Sequence, residues 1–431
     1  MTAATVQTEG GAMASGDASA SRALATEKGR RTSGFWTVAF AFLIVMAVAT
    51  LPSPLYGLYR TRDHLSSLTI TVVYAIFAAS TIATLLAVPS IAARIGRRGV
   101  MLESVATMMV AVGVLAAWKA LPGLIVGRLL SGASVGLAAG TAIIYLLELR
   151  LRADPDASPI RARNIGTSVN VGGLGLGPLI AGALAQWGKL QLTLPYLVFI
   201  VLGAIALVSL WVVPETGVRT PKATAPTRSR GSSSARLPIP AAAGTAAAFS
   251  ASGLFAGLSG LILGTTLHHP SHALSGATLF LVFSSGVVSQ VATTKLPAPR
   301  VLAVGTVSML AGLVLLVVSV RLSTPSLALF LVGGALIGGG AGAVFKGTTG
   351  IVLEASAPQD RLAMTSALLI ALYVGLSVPV VGAGIALNQK AGVPNTVLAF
   401  AIFVGVGVTV SGWLLLSRRR PGKAVRNQPP R

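Results

Sequence analysis

The segment Gly127–Glu148 reads GRLLSGASVGLAAGTAIIYLLE, and the segment 206 positions later, Gly333–Glu354, reads GGALIGGGAGAVFKGTTGIVLE. Six positions are identical, and the glutamate that ends each segment is its only acid. Each segment is apolar and long enough to be a helix that crosses a membrane. The repeat therefore predicts a chain of two similar helical halves, an organisation typical of membrane transporters.

The composition supports a membrane protein. Of the 431 residues, 53% are hydrophobic and only 10% are charged, whereas soluble proteins carry about 25% charged residues. The net charge of +22 would suggest nucleic-acid binding in a soluble protein, but basic residues also orient membrane proteins, and we expect no nucleic-acid partner. The chain has no cysteine, which excludes disulfides and thiolate metal sites.

The fold class predicted is all-α integral membrane, with twelve transmembrane helices in two six-helix pseudo-repeats. The apolar runs cover residues 35–58, 68–92, 99–118, 122–148, 164–187, 194–213, 239–264, 273–294, 300–320, 325–352, 362–387 and 394–416. The predicted domains are a disordered cytoplasmic N-terminal tail (1–34), an N-terminal bundle (35–213), a cytoplasmic linker (214–238), a C-terminal bundle (239–417) and a basic cytoplasmic C-terminal tail (418–431).

Lysine and arginine set the expected orientation. They concentrate in the two tails, in the linker and in alternate loops. Basic segments stay on the cytoplasmic side of a membrane. We therefore expect a multi-pass plasma-membrane protein with both termini in the cytoplasm.

Three short motifs carry chemistry. The loop between spans 2 and 3 reads PSIAARIGRRGVM and approaches the pattern G-x-x-x-D-R-x-G-R-R, with Pro89 and Ala93 departing from it. The loop residues that match are Arg94, Gly96, Arg97 and Arg98. In helix 4, Arg128 and Gly132 form an R-x-x-x-G pattern. In helix 5, G-x-x-x-G-P-x-x-x-G is met at Gly173, Gly177, Pro178 and Gly182.

These motifs and the six-plus-six plan resemble the major facilitator superfamily over residues 35–417. The helix-5 element is similar to that of its twelve-helix proton-coupled drug and multidrug efflux antiporters. The resemblance implies that the loop between spans 2 and 3 is a conformational gate. Possible gate or coupling acids are Glu103, Glu148 and Glu354, and Glu215 could pair with Arg161 or Arg163.

Glycine and proline in the middle of helix 5 need a physical reason. Glycines four residues apart let a neighbouring helix approach closely. Proline removes one helical hydrogen bond, which is tolerated when a neighbour satisfies the freed carbonyl. We therefore expect close packing around Gly173 and Gly177 and a partner for that carbonyl.

Polar residues inside the spans are candidates for a substrate cavity, because burying them in a bilayer is costly. Arg128 should face this cavity from the outer half, and Lys346 should face it or pair with Glu354. The candidates are Tyr56, Arg128, Ser131, Asn170, Gln290, Lys346 and Tyr373. Each could instead serve helix packing or reach the membrane surface.

The main functional hypothesis is a secondary active transporter that works by alternating access and exports small amphipathic molecules in exchange for protons. The alternative is a proton symporter or uniporter that imports a sugar, an organic acid or another small metabolite. No acid lies at mid-depth in the predicted spans, which argues against proton coupling.

The expected partners are the lipid bilayer, a small-molecule substrate and protons, and we expect a monomer. No cofactor, metal or enzymatic activity is predicted. The four histidines, His64, His268, His269 and His272, fall in outer loops. They are interpreted as ordinary loop residues rather than a zinc site or pH sensor.

Overall fold

The computed structural model describes residues 33–154, 156, 158–216 and 237–417. Most of both predicted tails and of the predicted linker lies outside the described residues. The helices of the first half are α1 (33–50), α2 (Tyr56–Asp63), α3 (Ser67–Ala117), α4 (Leu121–Ala153), α5 (Pro159–Trp187) and α6 (Leu194–Leu210). Those of the second half are α7 (Ile239–Thr265), α8 (His272–Ala292), α9 (Ala298–Arg321), α10 (Leu327–Ala355), α11 (Arg361–Asn388) and α12 (Val393–Ser417). The described residues contain no strand.

Within the described residues, ten segments are long and apolar enough to cross a membrane, and α6 is a shorter apolar helix. One of the ten, α3, has 51 residues and would be about 76 Å long if straight, more than twice the hydrocarbon thickness of a bilayer. It breaks at Gly96, whose φ of 79° and ψ of 173° are not helical. Counting α3 as two helices and adding α6 gives twelve crossings. The predicted loop between spans 2 and 3 is therefore a break at one glycine.

The first span also differs from its prediction. Expected as one helix over 35–58, it stops at residue 50, passes through a 3-10 turn at Ser53–Leu55 and continues as α2 to Asp63. Pro52 and Pro54 cause the interruption, because neither has an N–H to donate to the preceding turn. We call the face that carries the end of α2 the outer face and the opposite face the inner face, following the predicted orientation.

All five tryptophans of the chain lie at or near helix ends, as expected for residues at the two membrane surfaces. Trp36, Trp118, Trp187, Trp211 and Trp413 are between 50% and 77% exposed. Tryptophan is enriched where lipid headgroups meet the hydrocarbon core, because its ring is apolar and its N–H is polar. Their distribution marks two interfacial belts.

The two bundles meet mainly along α5 with α8 and along α3 with α11. Small residues allow this close approach. A Cβ atom on Gly276 of α8 would overlap the carbonyl oxygen of Pro178 on α5, and one on Gly384 of α11 would overlap the hydroxyl of Thr71 on α3. These seams hold the halves together without large interlocking side chains.

Candidate functional site

A cavity of about 670 Å³ lies between the bundles at the outer face, within the size range of small-molecule sites. The 3-10 turn, α2 and the start of α3 form one wall, and the end of α7 and the start of α8 form the other. Hydroxyl groups alternate with glycine and leucine along these walls. The lining residues with a basic side chain are Arg60, His64 and His272.

The interrupted first span contributes polar groups to the cavity. The hydroxyls of Ser53 and Tyr56 are buried and have no hydrogen-bond partner, and the same holds for Ser275 on the opposite wall. Buried hydroxyls without partners are uncommon in proteins. Their convergence from both bundles identifies this cavity as the candidate binding site.

Arg128, which the lining of this cavity does not include, is fully buried. Its Nη1 donates to the carbonyl oxygen of Ala49 at 2.7 Å, whereas its Nε and Nη2 have no partner. The guanidinium carbon lies 4.3 Å from the centre of the Phe77 ring, a favourable cation–π distance. Arg128 thus caps the broken end of α1, one of the alternatives considered for it from the sequence.

An aromatic contact between the bundles lies next to Arg128. The rings of Phe77 on α3 and Tyr373 on α11 meet edge to face with centres 6.4 Å apart. Both residues are buried, as is Ser131, whose hydroxyl donates to the carbonyl of Arg128. Because Phe77 and Tyr373 belong to different bundles, this layer must part if a solute is to pass.

A smaller cavity of about 150 Å³ lies towards the inner face, between α5 and the pair α8 and α10. Gln290 and Lys346 line it. The Lys346 ammonium donates to the Gln290 carbonyl at 2.5 Å and approaches the hydroxyls of Thr293 and Thr294 at 3.4 Å. Lys346 therefore caps the C-terminal end of α8, a favourable place for a cation, instead of pairing with Glu354.

The sequence predicted one shared cavity, whereas the structure divides the candidate residues between the outer and the inner cavity. Tyr56 lines the outer one, and Gln290 and Lys346 line the inner one. The candidates that line neither of these two cavities are Arg128, Ser131, Asn170 and Tyr373. The expected grouping is corrected accordingly, because the bundles are in contact at mid-depth.

The helix-5 element packs as its glycines predict. A Cβ on Gly173 would lie 2.6 Å from the Cβ of Met46, and one on Gly177 would overlap the Ala47 carbonyl, so both glycines admit α1. Gly182 instead faces α8, where a Cβ would overlap the carbonyl of His272. The element serves packing within the first bundle and contact between the bundles.

Pro178 leaves the carbonyl of Leu174 without its helical partner, since residue 178 has no N–H. The hydroxyl of Thr50, which is buried, donates to that oxygen at 2.6 Å. The partner that the sequence required is thus the last residue of α1. This bond ties α5 to the interrupted span.

At the inner face, the residues around Gly96 form a polar cluster. Arg97 pairs with Glu148 through a 2.8 Å ion pair. The Glu215 carboxylate accepts from the backbone N–H groups of Arg97 and Arg98 at 3.0 and 3.1 Å. Glu215 therefore caps the second part of α3, where a negative charge is favourable.

The cluster bears on several expectations. The Glu215 carboxylate binds backbone amides of α3, and its expected pairing with Arg161 or Arg163 stays a prediction. Glu103 is exposed on α3 and lies 3.5 Å from the Thr107 hydroxyl, its neighbour one turn on. Arg94 and Glu354 are also exposed, and neither belongs to the ion pair of Arg97.

An outer bridge, formed by Gln186, Ser271, His272 and Pro54, joins the bundles beside the outer cavity. The Gln186 side-chain oxygen accepts from the Ser271 hydroxyl at 3.2 Å and from the His272 backbone N–H at 2.9 Å. The His272 ring lies 3.3 Å from the Pro54 carbonyl. No group of three potential metal ligands occurs among the described residues.

The sequence interpretation missed Ser53, Ser275, Phe77 and Gln186. The Pro-Ser-Pro stretch that ends at Pro54 was a usable signal, since proline-interrupted spans often mark binding sites in transporters. Phe77 and Gln186 carried no such signal, because their roles depend on contacts with the other bundle.

Comparisons with known proteins agree with this architecture. The family model described as "Sugar (and other) transporter" matches residues 20–217. Among solved structures, a mutant of the nucleoside transporter NupG matches with a TM-score of 0.64 and 10% sequence identity, covering 90% of this chain and 100% of that chain. A search of curated proteins gave no match. The chain has the major facilitator fold, and the resemblance to drug-efflux antiporters finds no support in these matches.

Proposed function

We propose that the protein is a secondary transporter that carries a small hydrophilic metabolite, of the size of a sugar or an organic acid, across the plasma membrane by alternating access. The observation that carries this proposal is the outer cavity, which residues of both bundles line. A cavity shared by two rocking bundles is the general arrangement of secondary transporters.

The chemistry of the cavity favours a hydrophilic solute. Unpartnered hydroxyls of Ser53, Tyr56 and Ser275 would regain hydrogen bonds by binding a substrate rich in oxygen atoms. The match to a sugar-transporter family model points the same way. Import of such a solute, the alternative interpretation of the sequence, is therefore preferred over export of amphipathic molecules.

Proton coupling has little support. Among the described residues, one carboxylate, that of Asp63, lies at the outer end of α2. The others lie in the inner parts of helices or beyond them: Glu103, Glu148, Asp154, Asp156, Glu215, Glu354 and Asp360. Proton-coupled transport usually uses a carboxylate inside the membrane. Facilitated uptake or exchange fits this distribution better.

Tracer exchange in proteoliposomes would test the proposal. Liposomes containing the full-length protein would be loaded with unlabelled ribose, glucose, uridine or succinate and diluted into the labelled compound. Accumulation of label above protein-free liposomes supports transport, and an imposed pH gradient should leave its initial rate unchanged. Absence of exchange with every probe, together with gradient-driven export of a dye from the same liposomes, would favour the efflux hypothesis.

A further inference from the structure

Arg128 carries a charge that its surroundings neutralise only in part. Its side chain is 0% exposed, and its hydrogen bond goes to a neutral carbonyl, that of Ala49. That carbonyl belongs to the C-terminal end of α1, whose helix dipole supplies about half a negative charge. The guanidinium carbon otherwise faces the rings of Phe77 and Tyr74, at 4.3 and 5.8 Å from their centres, so no described residue supplies a full negative charge to it.

Described carboxylates do not reach this guanidinium through an ion pair. The two ion pairs recorded among the described residues join Arg97 to Glu148 at the inner face and Arg62 to Asp63 at the outer end of α2. Asp63 lies about two turns along α2 from Tyr56 and pairs with its neighbour at 3.6 Å. An unneutralised buried charge is costly, which points to a counter-ion that arrives from outside the protein.

The free edge of Arg128 has the geometry that a carboxylate requires. Nη1 is occupied by Ala49, and the two atoms without partners, Nε and Nη2, form the side edge of the guanidinium. Two parallel N–H groups along this edge match the two oxygens of a carboxylate. Phe77 lies over the guanidinium, and both edge atoms are buried in this conformation, so a carboxylate binds there only when the bundles move apart.

The outer cavity is linked to Arg128 through the first span and favours anions. Ala49, whose carbonyl accepts from Arg128, precedes the cavity residue Ser53 by four positions. Tyr56, which lines the cavity, is close enough to Arg128 for the two groups to interact electrostatically. The described lining contains the cation Arg60 and no Asp or Glu, so its charge attracts anions.

We infer that the transported metabolite is a small organic anion whose carboxylate binds the Nε–Nη2 edge of Arg128 while its remaining oxygens meet Ser53, Tyr56 and Ser275. This inference rests on the proposed transport function and narrows its substrate class. Binding neutralises the buried guanidinium, and a neutral sugar would leave that charge unpaired.

The test compares molecules that differ by one carboxylate. Glucuronate would be paired with glucose, lactate with propane-1,2-diol, and benzoate with benzyl alcohol. Each would be titrated at constant ionic strength against the purified full-length protein, with the melting temperature as readout. We expect at least one carboxylate to stabilise the protein at concentrations where its neutral partner has no effect.

Two variants localise the effect. Arg128→Lys keeps the charge but removes the bidentate edge, and should weaken the apparent carboxylate affinity by about tenfold or more. Lys189→Gln removes an exposed charge at the outer face that lies outside the cavity lining, and should change this affinity by less than about threefold. If Arg128→Lys fails to fold, the comparison of paired probes on the unmodified protein still decides.

Two outcomes would overturn the inference: neutral members that stabilise as well as their carboxylates, or undiminished carboxylate binding by Arg128→Lys. Exchange of the same paired compounds in proteoliposomes shows whether the anion-site inference or the transport proposal has failed. Transport of glucose without preference for glucuronate refutes only the anion site. Exchange of neither member of any pair refutes transport of these compounds, while the binding result still decides whether the anion site exists.

Discussion

The hydrogen bond from Thr50 to Leu174 allows a sharp test of how Pro178 is accommodated in α5. Thr50→Val keeps the shape of the side chain and removes the 2.6 Å bond. The Leu174 carbonyl then has neither a helical partner nor Thr50, and leaving a buried acceptor unsatisfied costs about 1–3 kcal/mol. We expect Thr50→Val to lower the free energy of unfolding by about 2 kcal/mol.

Pro178→Ala supplies the missing N–H and changes the expected cost. In that background the Leu174 carbonyl regains an ordinary helical bond, so Thr50→Val should cost only about 0.5–1 kcal/mol. The difference, an interaction energy of about 1 kcal/mol, is measurable in a double-mutant cycle. Unfolding in mixed micelles with increasing denaturing detergent would provide the four free energies.

A matched control is available in α3. Thr81 is also buried, and its hydroxyl donates at 2.9 Å to the Phe77 carbonyl, four residues earlier in the same helix. Since that acceptor lies in regular helix, Thr81→Val should cost the same with proline or alanine at position 178. An equal cost of Thr50→Val in both backgrounds would refute the assignment of Thr50 as the partner of the freed carbonyl.

Three further predictions concern packing and the two faces. Gly177→Ala should lower the melting temperature and the yield of folded protein, because its Cβ would overlap the Ala47 carbonyl. Gly172 has open space around it, so Gly172→Ala should be neutral or slightly stabilising. Equal effects of the two substitutions would contradict the packing argument. Gln186→Leu removes two hydrogen bonds of the outer bridge. If these bonds stabilise the closed outer face by about 1 kcal/mol, the substitution should make an impermeant thiol reagent label Ser275→Cys about fivefold faster. The chain has no native cysteine, so this label is specific, and an unchanged rate would show that the bridge does not restrain the outer face. Glu148→Gln should reduce the melting temperature at low salt and much less at about 1 M salt, since it weakens an ion pair at the membrane surface; a loss independent of salt would assign the effect to packing.

The number of spans could be predicted from sequence because the bilayer fixes how long an apolar run must be. The role of the helix-5 glycines was also readable, since glycine at these spacings admits a neighbouring backbone. The break in the first span was not predicted, because Pro52 and Pro54 barely change the apolar character of a run of that length. Hydropathy and local backbone geometry are separate properties of a sequence, and the span prediction used hydropathy.

Partners across the fold were the hardest to predict. Glu215 and Arg97 are 118 residues apart, and which cation or amide a carboxylate meets depends on how the end of α6 packs against α3. Lys346 illustrates the same limit. The spacing of Lys346 and Glu354 along α10 allowed an ion pair between them. The Lys346 ammonium instead donates to a backbone carbonyl at the end of α8. The efflux hypothesis depended on the glycine–proline motif of helix 5, and in the structure the glycines of that motif have a packing role.

The seam between α5 and α8 has a mechanical consequence. Where Gly182 and Gly276 face each other and the Pro178 carbonyl, backbone meets backbone, and there are no side-chain rotamers to refit when one helix tilts against the other. The two helices can therefore tilt against each other with little repacking of side chains. In the proposed alternating-access mechanism, resistance to rocking would then be concentrated in the outer bridge and the Phe77–Tyr373 pair, and these few contacts would set the rate at which the bundles rock.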